Sequence, residues 1–152
     1  MSRFQFRLDP LLRLRRRAEE SAREALGRAI AEEARQRAVL ARLEEELDAS
    51  IAEQRRSREG EIWVQGQILA LGWNARRKIE IAGQMERIAG AVGAVKAARE
   101  ALVEARRAVE ILEKLRARRK AQWALAELRK EQATLSDIAG IRWMRQRMEE
   151  ET

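Results

Sequence analysis

The stretch from Ala94 to Ala139 contains no glycine and no proline, and it constrains the chain more than any other feature. At about 1.5 Å of rise per residue, a helix over that span is roughly 70 Å long, well beyond the usual three turns of a globular helix. Val95, Ala98, Leu102, Ala105, Val109 and Leu112 fall at alternating steps of three and four. Such a row is the seam of a coiled coil, one narrow apolar face that needs a partner helix. The rest of the sequence has to supply that partner.

Composition points the same way. Charged residues make up 38% of the 152 and aromatics only 4%, so little bulky material is available for a globular core. There is one proline and no tyrosine, and Ala, Glu, Leu and Arg dominate, as in long helices rather than sheets. The fold class expected is all-α, a long two-helix antiparallel coiled-coil hairpin forming a single domain.

The amino terminus alternates Phe4, Phe6 and Leu8 with Gln5 and Arg7, and Asp9-Pro10 then reads as a helix start. A first helix is predicted over about 10–58. Leu8, Leu12, Ala22, Leu26, Ala29, Leu40, Leu43 and Leu47 fit one heptad register, with Arg15, Glu19, Glu33 and Gln36 at its remaining seam positions. Polar seam residues weaken the pairing and fix its register. Ala18, Ala22, Ala25 and Ala29 make one face narrow.

A break is predicted near 57–61, at Ser-Arg-Glu-Gly. The second helix is predicted over about 62–140, beginning weakly because Gly66 and Gly72 interrupt an apolar run in which Ile62, Leu69 and Trp73 share a face. Gly90, Ala94, Ala97, Ala101, Ala105 and Ala108 form a second small-residue stripe. Beyond Leu135 the pattern decays, with fraying expected at Gly140 and a charged tail over 141–152. One seam buries little. Each fully buried Leu contributes about 1.5–3 kcal/mol against about 1–2 kcal/mol of ordering entropy per residue. The hairpin is therefore marginal alone, and partner binding is reasonable on energetic grounds.

Several function classes fall away. Cysteine and histidine are both absent, which removes thiolate chemistry and the commonest general base and metal ligand. The carboxylates are interleaved with arginine at ion-pair spacing, as in Glu100, Glu104 and Arg107, and two paired rods make no water-excluding pocket. Neither an enzyme nor a cofactor is expected. No secretory leader and no apolar run of about 20 residues is evident, so a cytoplasmic protein is expected.

Lys plus Arg number 32 against 25 Asp plus Glu, a net charge of +7, which favours acidic partners. The basic residues gather at Arg13, Arg15, Arg16 and Arg17, at Lys114, Arg116, Arg118, Arg119 and Lys120, and at Arg142, Arg145 and Arg147. In a hairpin all three groups fall toward one end. As a solvated face they need no ligand, and stacking aromatics are too sparse beside them for specific nucleic-acid binding. Trp63 and Trp73 near the turn serve equally as a cap on the core or as exposed anchors for a partner.

The opening Phe4-Gln-Phe6-Arg-Leu8-Asp-Pro-Leu11-Leu12-Arg-Leu-Arg15, with Glu19, Glu20 and Ala25-Leu26 after it, resembles the start of the flagellar export protein FliJ family. The run Ala108-Val-Glu-Ile-Leu112-Glu-Lys-Leu115-Arg-Ala-Arg118-Arg119 and the later Gln132-Ala-Thr-Leu135-Ser-Asp137-Ile-Ala139 are similar to its second helix and terminal pattern. The resemblance covers nearly the whole chain. It implies a non-enzymatic stalk of the flagellar type III export apparatus, peripheral to the inner membrane and monomeric when free.

The implied partners are a hexameric export ATPase, an export-gate membrane protein and export chaperones. The resemblance places Leu8, Leu11, Leu12, Arg13, Arg16, Arg17, Arg142 and Arg145 at the ATPase-facing end. It places Trp63, Leu69, Trp73 and Ile79 in the gate-binding patch. The chain departs from the family there, carrying Gly66, Gly72 and Gly83 where relatives tend to have aromatic and polar residues.

Overall fold

The computed structural model describes residues 3–61 and 63–151. It consists of two long helices, α1 (Asp9–Ser57) and α2 (Val64–Glu150), with no strand among the described residues. The all-α hairpin read from the sequence is the fold. Spatially the chain divides into two compact units, Met1–Arg17 with Arg106–Thr152, and Ala18–Ala105.

In the first unit, Leu12 is wholly buried against Val109 and Leu112, with Leu8 packed onto them. Arg16 donates to Glu113 at 3.1 Å, and Arg116 lies 3.9 Å from Asp9, so the two helices run antiparallel here. The Leu12 N–H donates to the Leu8 carbonyl at 2.9 Å, which opens the helix one residue earlier than expected. Asp9 therefore sits inside the first turn rather than capping it. Its carboxylate faces Arg13 at 3.8 Å, a favourable place for an anion at a helix start.

In the second unit the antiparallel pairing is written in cross-helix polar contacts. Gln67 donates to Ser57 at 3.0 Å, Ser50 to Asn74 at 2.7 Å, Arg77 pairs with Glu46 at 3.2 Å, and Gln84 reaches Gln36. Between and beyond them Leu43, Ile88, Val95 and Leu102 are buried. The predicted row on α2 thus forms the seam, and Gln36 occupies its expected place on α1. Most of the second small-residue stripe does not. Gly90, Ala94, Ala97 and Ala101 are exposed, because their spacing leads away from the seam, and only Ala105 and Ala108 are half-buried.

Arg58 and Glu59 donate back three residues to Arg55 and Arg56, which tightens the end of α1 into a turn. At the far end α2 passes through Gly140 and continues to Glu150, so residues 141–150 are helix rather than tail. A lone glycine costs about 1 kcal/mol, which a long helix absorbs. The face expected of Ile62, Leu69 and Trp73 includes Ile62, which lies outside the described residues.

Gln84 is 2% exposed and its amide donates to both the backbone carbonyl and the Oε1 of Gln36, at 2.8 and 2.7 Å. Gln36 in turn donates to Glu32 at 2.6 Å. That hydrogen bond holds the Glu32 carboxyl below its ordinary range, and Arg35 adds to the effect. The stability so gained is present above the unfolded-state carboxylate pKa and is lost as pH falls through the lowered one. Glu32→Gln should therefore flatten the acid limb of a melting-temperature profile, by a small amount because the carboxylate is solvated. An acid limb identical to wild type would show that this network does not titrate with folding.

The first unit yields a sharper test. Leu12→Ala should lower stability by about 2–5 kcal/mol, read by circular-dichroism melting, whereas Leu14→Ala, at an exposed position, should change it little. Equal effects would mean that burial of Leu12 is not what holds this end.

Candidate functional site

The amino-terminal arm ahead of α1 packs back on α2. The Phe4 ring meets Trp123 with centroids 5.9 Å apart, tilted by 51°, and Phe6 is buried with the Arg119 guanidinium 5.9 Å from its ring. The Asp9 N–H donates to the Phe6 carbonyl at 3.0 Å, turning the chain into the helix. Beside this clasp lies an open hollow of about 740 Å³, lined by Arg3, Arg16, Arg116 and Lys120 around Phe4 and Trp123, with Glu113 as its one acid. The surface is basic and solvated, and it suits acidic side chains of a partner.

The structure brings the basic groups of 13–17 and 114–120 together, as the sequence implied. Arg13 faces Asp9 and Arg16 pairs with Glu113, while Arg17 is exposed without a partner among the described residues. Leu11 is also exposed, but Leu8 and Leu12 belong to the core and hold this end instead of offering a surface. Arg142 and Arg145 are not brought beside Arg13. They lie on the continuing α2 helix, roughly 40 Å of rise beyond Arg116. The reason is the unequal length of the helices: Asp9 at the start of α1 stands against Arg116, and α2 runs on to Glu150 with no α1 left to meet it.

The second unit carries an apolar surface at the start of α2. Trp63 is 67% exposed, Leu69 69% and Ile79 74%, and Trp73 is shielded on one side by Arg77, whose guanidinium sits 4.7 Å from its ring. The Trp63 indole lies over Gly66, where any Cβ would overlap it, so that glycine permits the close approach. The sequence reading missed the company these residues keep. Val64, Ile68, Leu71, Ala75, Ala82, Met85, Ala89 and Val92 are all exposed, with steps of three, four or seven between them. They form a second apolar row on α2, beside the one α1 covers. The seven-residue spacing of Val64 to Leu71 and Met85 to Val92 was its available signal.

Both surfaces lie on the outside of paired helices, and no described helix is long and apolar enough to cross a membrane. The molecule is of the coiled-coil class, two paired helices with most side chains facing outward. The family model for the flagellar FliJ protein matches residues 4–148, and the chain belongs to that family. It is accordingly a flagellar export apparatus component, serving flagellum biogenesis and protein export. No curated protein and no solved structure matches the chain.

Proposed function

We propose that the chain is the stalk of the export apparatus, engaging a hexameric export ATPase through its basic end and linking it to the export gate and export chaperones. The observation that carries this is the first unit's end, where exposed Arg13, Arg16 and Arg17 stand beside the cation-lined hollow on a scaffold fixed by Leu12 and the Phe4–Trp123 clasp. Two helices give a narrow element suited to entering a ring, and its positive charge suits an acidic lining. The apolar start of α2, with Trp63, Leu69, Trp73 and Ile79, is the surface for the gate. The working location is the cytoplasmic side of the inner membrane, held there by these contacts.

Exposed ion pairs contribute about 0–1 kcal/mol each, so the arginines are separable from folding. Replacing Arg13, Arg16 and Arg17 together by Gln should preserve helicity and shift melting by only a few degrees. The same variant should stimulate the partner ATPase at least about tenfold less at equal concentration and impair motility. Glutamine is preferable to glutamate, because a carboxylate at position 16 would face Glu113. Trp63→Ala with Trp73→Ala should spare ATPase stimulation and weaken gate binding. If the tryptophan pair abolishes stimulation and the arginine triple leaves it intact, the two ends have been assigned in reverse.

A further inference from the structure

The hollow beside the amino-terminal clasp combines two kinds of lining that a merely charged end does not need together. Arg3, Arg16, Arg116 and Lys120 border it, and the rings of Phe4 and Trp123 border it too. Both rings are half-buried and tilted by 51° to one another, so a flat group laid against one can also touch the other. The one acid, Glu113, is held by Arg16 at 3.1 Å. Arg116 has the Asp9 carboxylate only at 3.9 Å, and Arg3 and Lys120 have no ion pair among the described residues. Arg116 and Lys120 are four residues apart on α2, about 6 Å of rise, so positive charge is concentrated within a short span.

We propose that this hollow binds a nucleoside di- or triphosphate, its base on Phe4 and Trp123 and its phosphates on the four cations. Guanidinium forks match phosphate oxygens two at a time, and the lysine ammonium adds a point charge. Aromatic faces take a nucleobase of any identity. At about 740 Å³ the hollow has the size of a small-molecule site. Inorganic phosphate uses the cations alone, and so do the acidic side chains of a partner, which leave the rings idle. A nucleotide uses both, with several negative charges gathered beside one planar body. Because Arg3 and Phe4 come from the arm, Arg16 from α1 and the rest from α2, a ligand seated there holds the folded arrangement together. Binding here is independent of the stalk reading, since the lining carries it whether or not an ATPase is engaged. It has a consequence for that reading, because a seated nucleotide cancels part of the charge at the same end.

Isothermal titration calorimetry of the purified full chain with ATP, in the absence of any ATPase, should show one site per chain, and ATP should raise the melting temperature. Adenosine and inorganic triphosphate should each bind at least about tenfold more weakly, because each uses only part of the lining. Arg3→Ala and Lys120→Ala, at exposed positions, should each weaken ATP by about tenfold. Trp123→Ala should weaken ATP by about tenfold and leave inorganic triphosphate unchanged, and Trp123→Phe should recover much of the loss. Arg129→Ala, on α2 about two and a half turns beyond Lys120, should change neither ligand. Circular dichroism confirms that each variant stays helical. If inorganic triphosphate binds as tightly as ATP, or Arg129→Ala costs as much as Lys120→Ala, the basic end attracts polyanions in general and the proposal is overturned. Absence of heat and of a melting shift with millimolar ATP would overturn it too, whether or not an oligonucleotide or an anionic vesicle then binds.

Discussion

Leu12, Val109 and Leu112 close on one another in one unit, while Leu43, Ile88, Val95 and Leu102 are buried along the other, and these few side chains carry the pairing of α1 with α2. A seam so narrow has no reserve of apolar area behind it. Loss of one large side chain removes a sizeable share of what a unit buries, which is why Leu12 matters far beyond its size. The same narrowness leaves most of each helix facing outward, so the fold presents a large amount of surface for its length. That is a useful property in a protein whose work is contact.

Polar residues in the second unit add direction to this weak pairing. Gln36 with Gln84, Ser50 with Asn74, and Ser57 with Gln67 satisfy one another only when the helices are aligned as they are. An apolar seam tolerates sliding by a heptad, whereas a buried amide that loses its partner is left unsatisfied. Leucine-rich contact holds the helices together, and the amides decide where. Gln84 reaches the backbone of Gln36 as well as its side chain, so even a rotamer change at Gln36 leaves one contact in place.

The seam on α2 was legible because its period is set by local geometry alone, and Gln36 was found at its predicted position for the same reason. Features that depend on which face is already taken were not. Ala94, Ala97 and Ala101 read as a packing stripe until α1 is seen to lie on the neighbouring face. Gly140 read as an end because a propensity rule does not know how much helix stands on either side. The Phe4 and Phe6 alternation was visible, but its use as a clasp on Trp123 and Arg119 required knowing what lies opposite. At the basic end, the meeting of Arg16 with Glu113 followed from antiparallel pairing, while the distance to Arg142 followed from the helix that pairing does not reach.

Four glycines of α2, Gly72, Gly83, Gly90 and Gly93, have nothing within 4 Å of where a Cβ would stand, and none has a positive φ. Alanine fits each position and favours helix by about 1 kcal/mol. Nothing inside the folded chain calls for glycine there. The protein therefore sits several kcal/mol below the helical stability its own backbone permits, with the shortfall concentrated in one stretch of one helix. That stretch is where another backbone can come closest to the axis of α2.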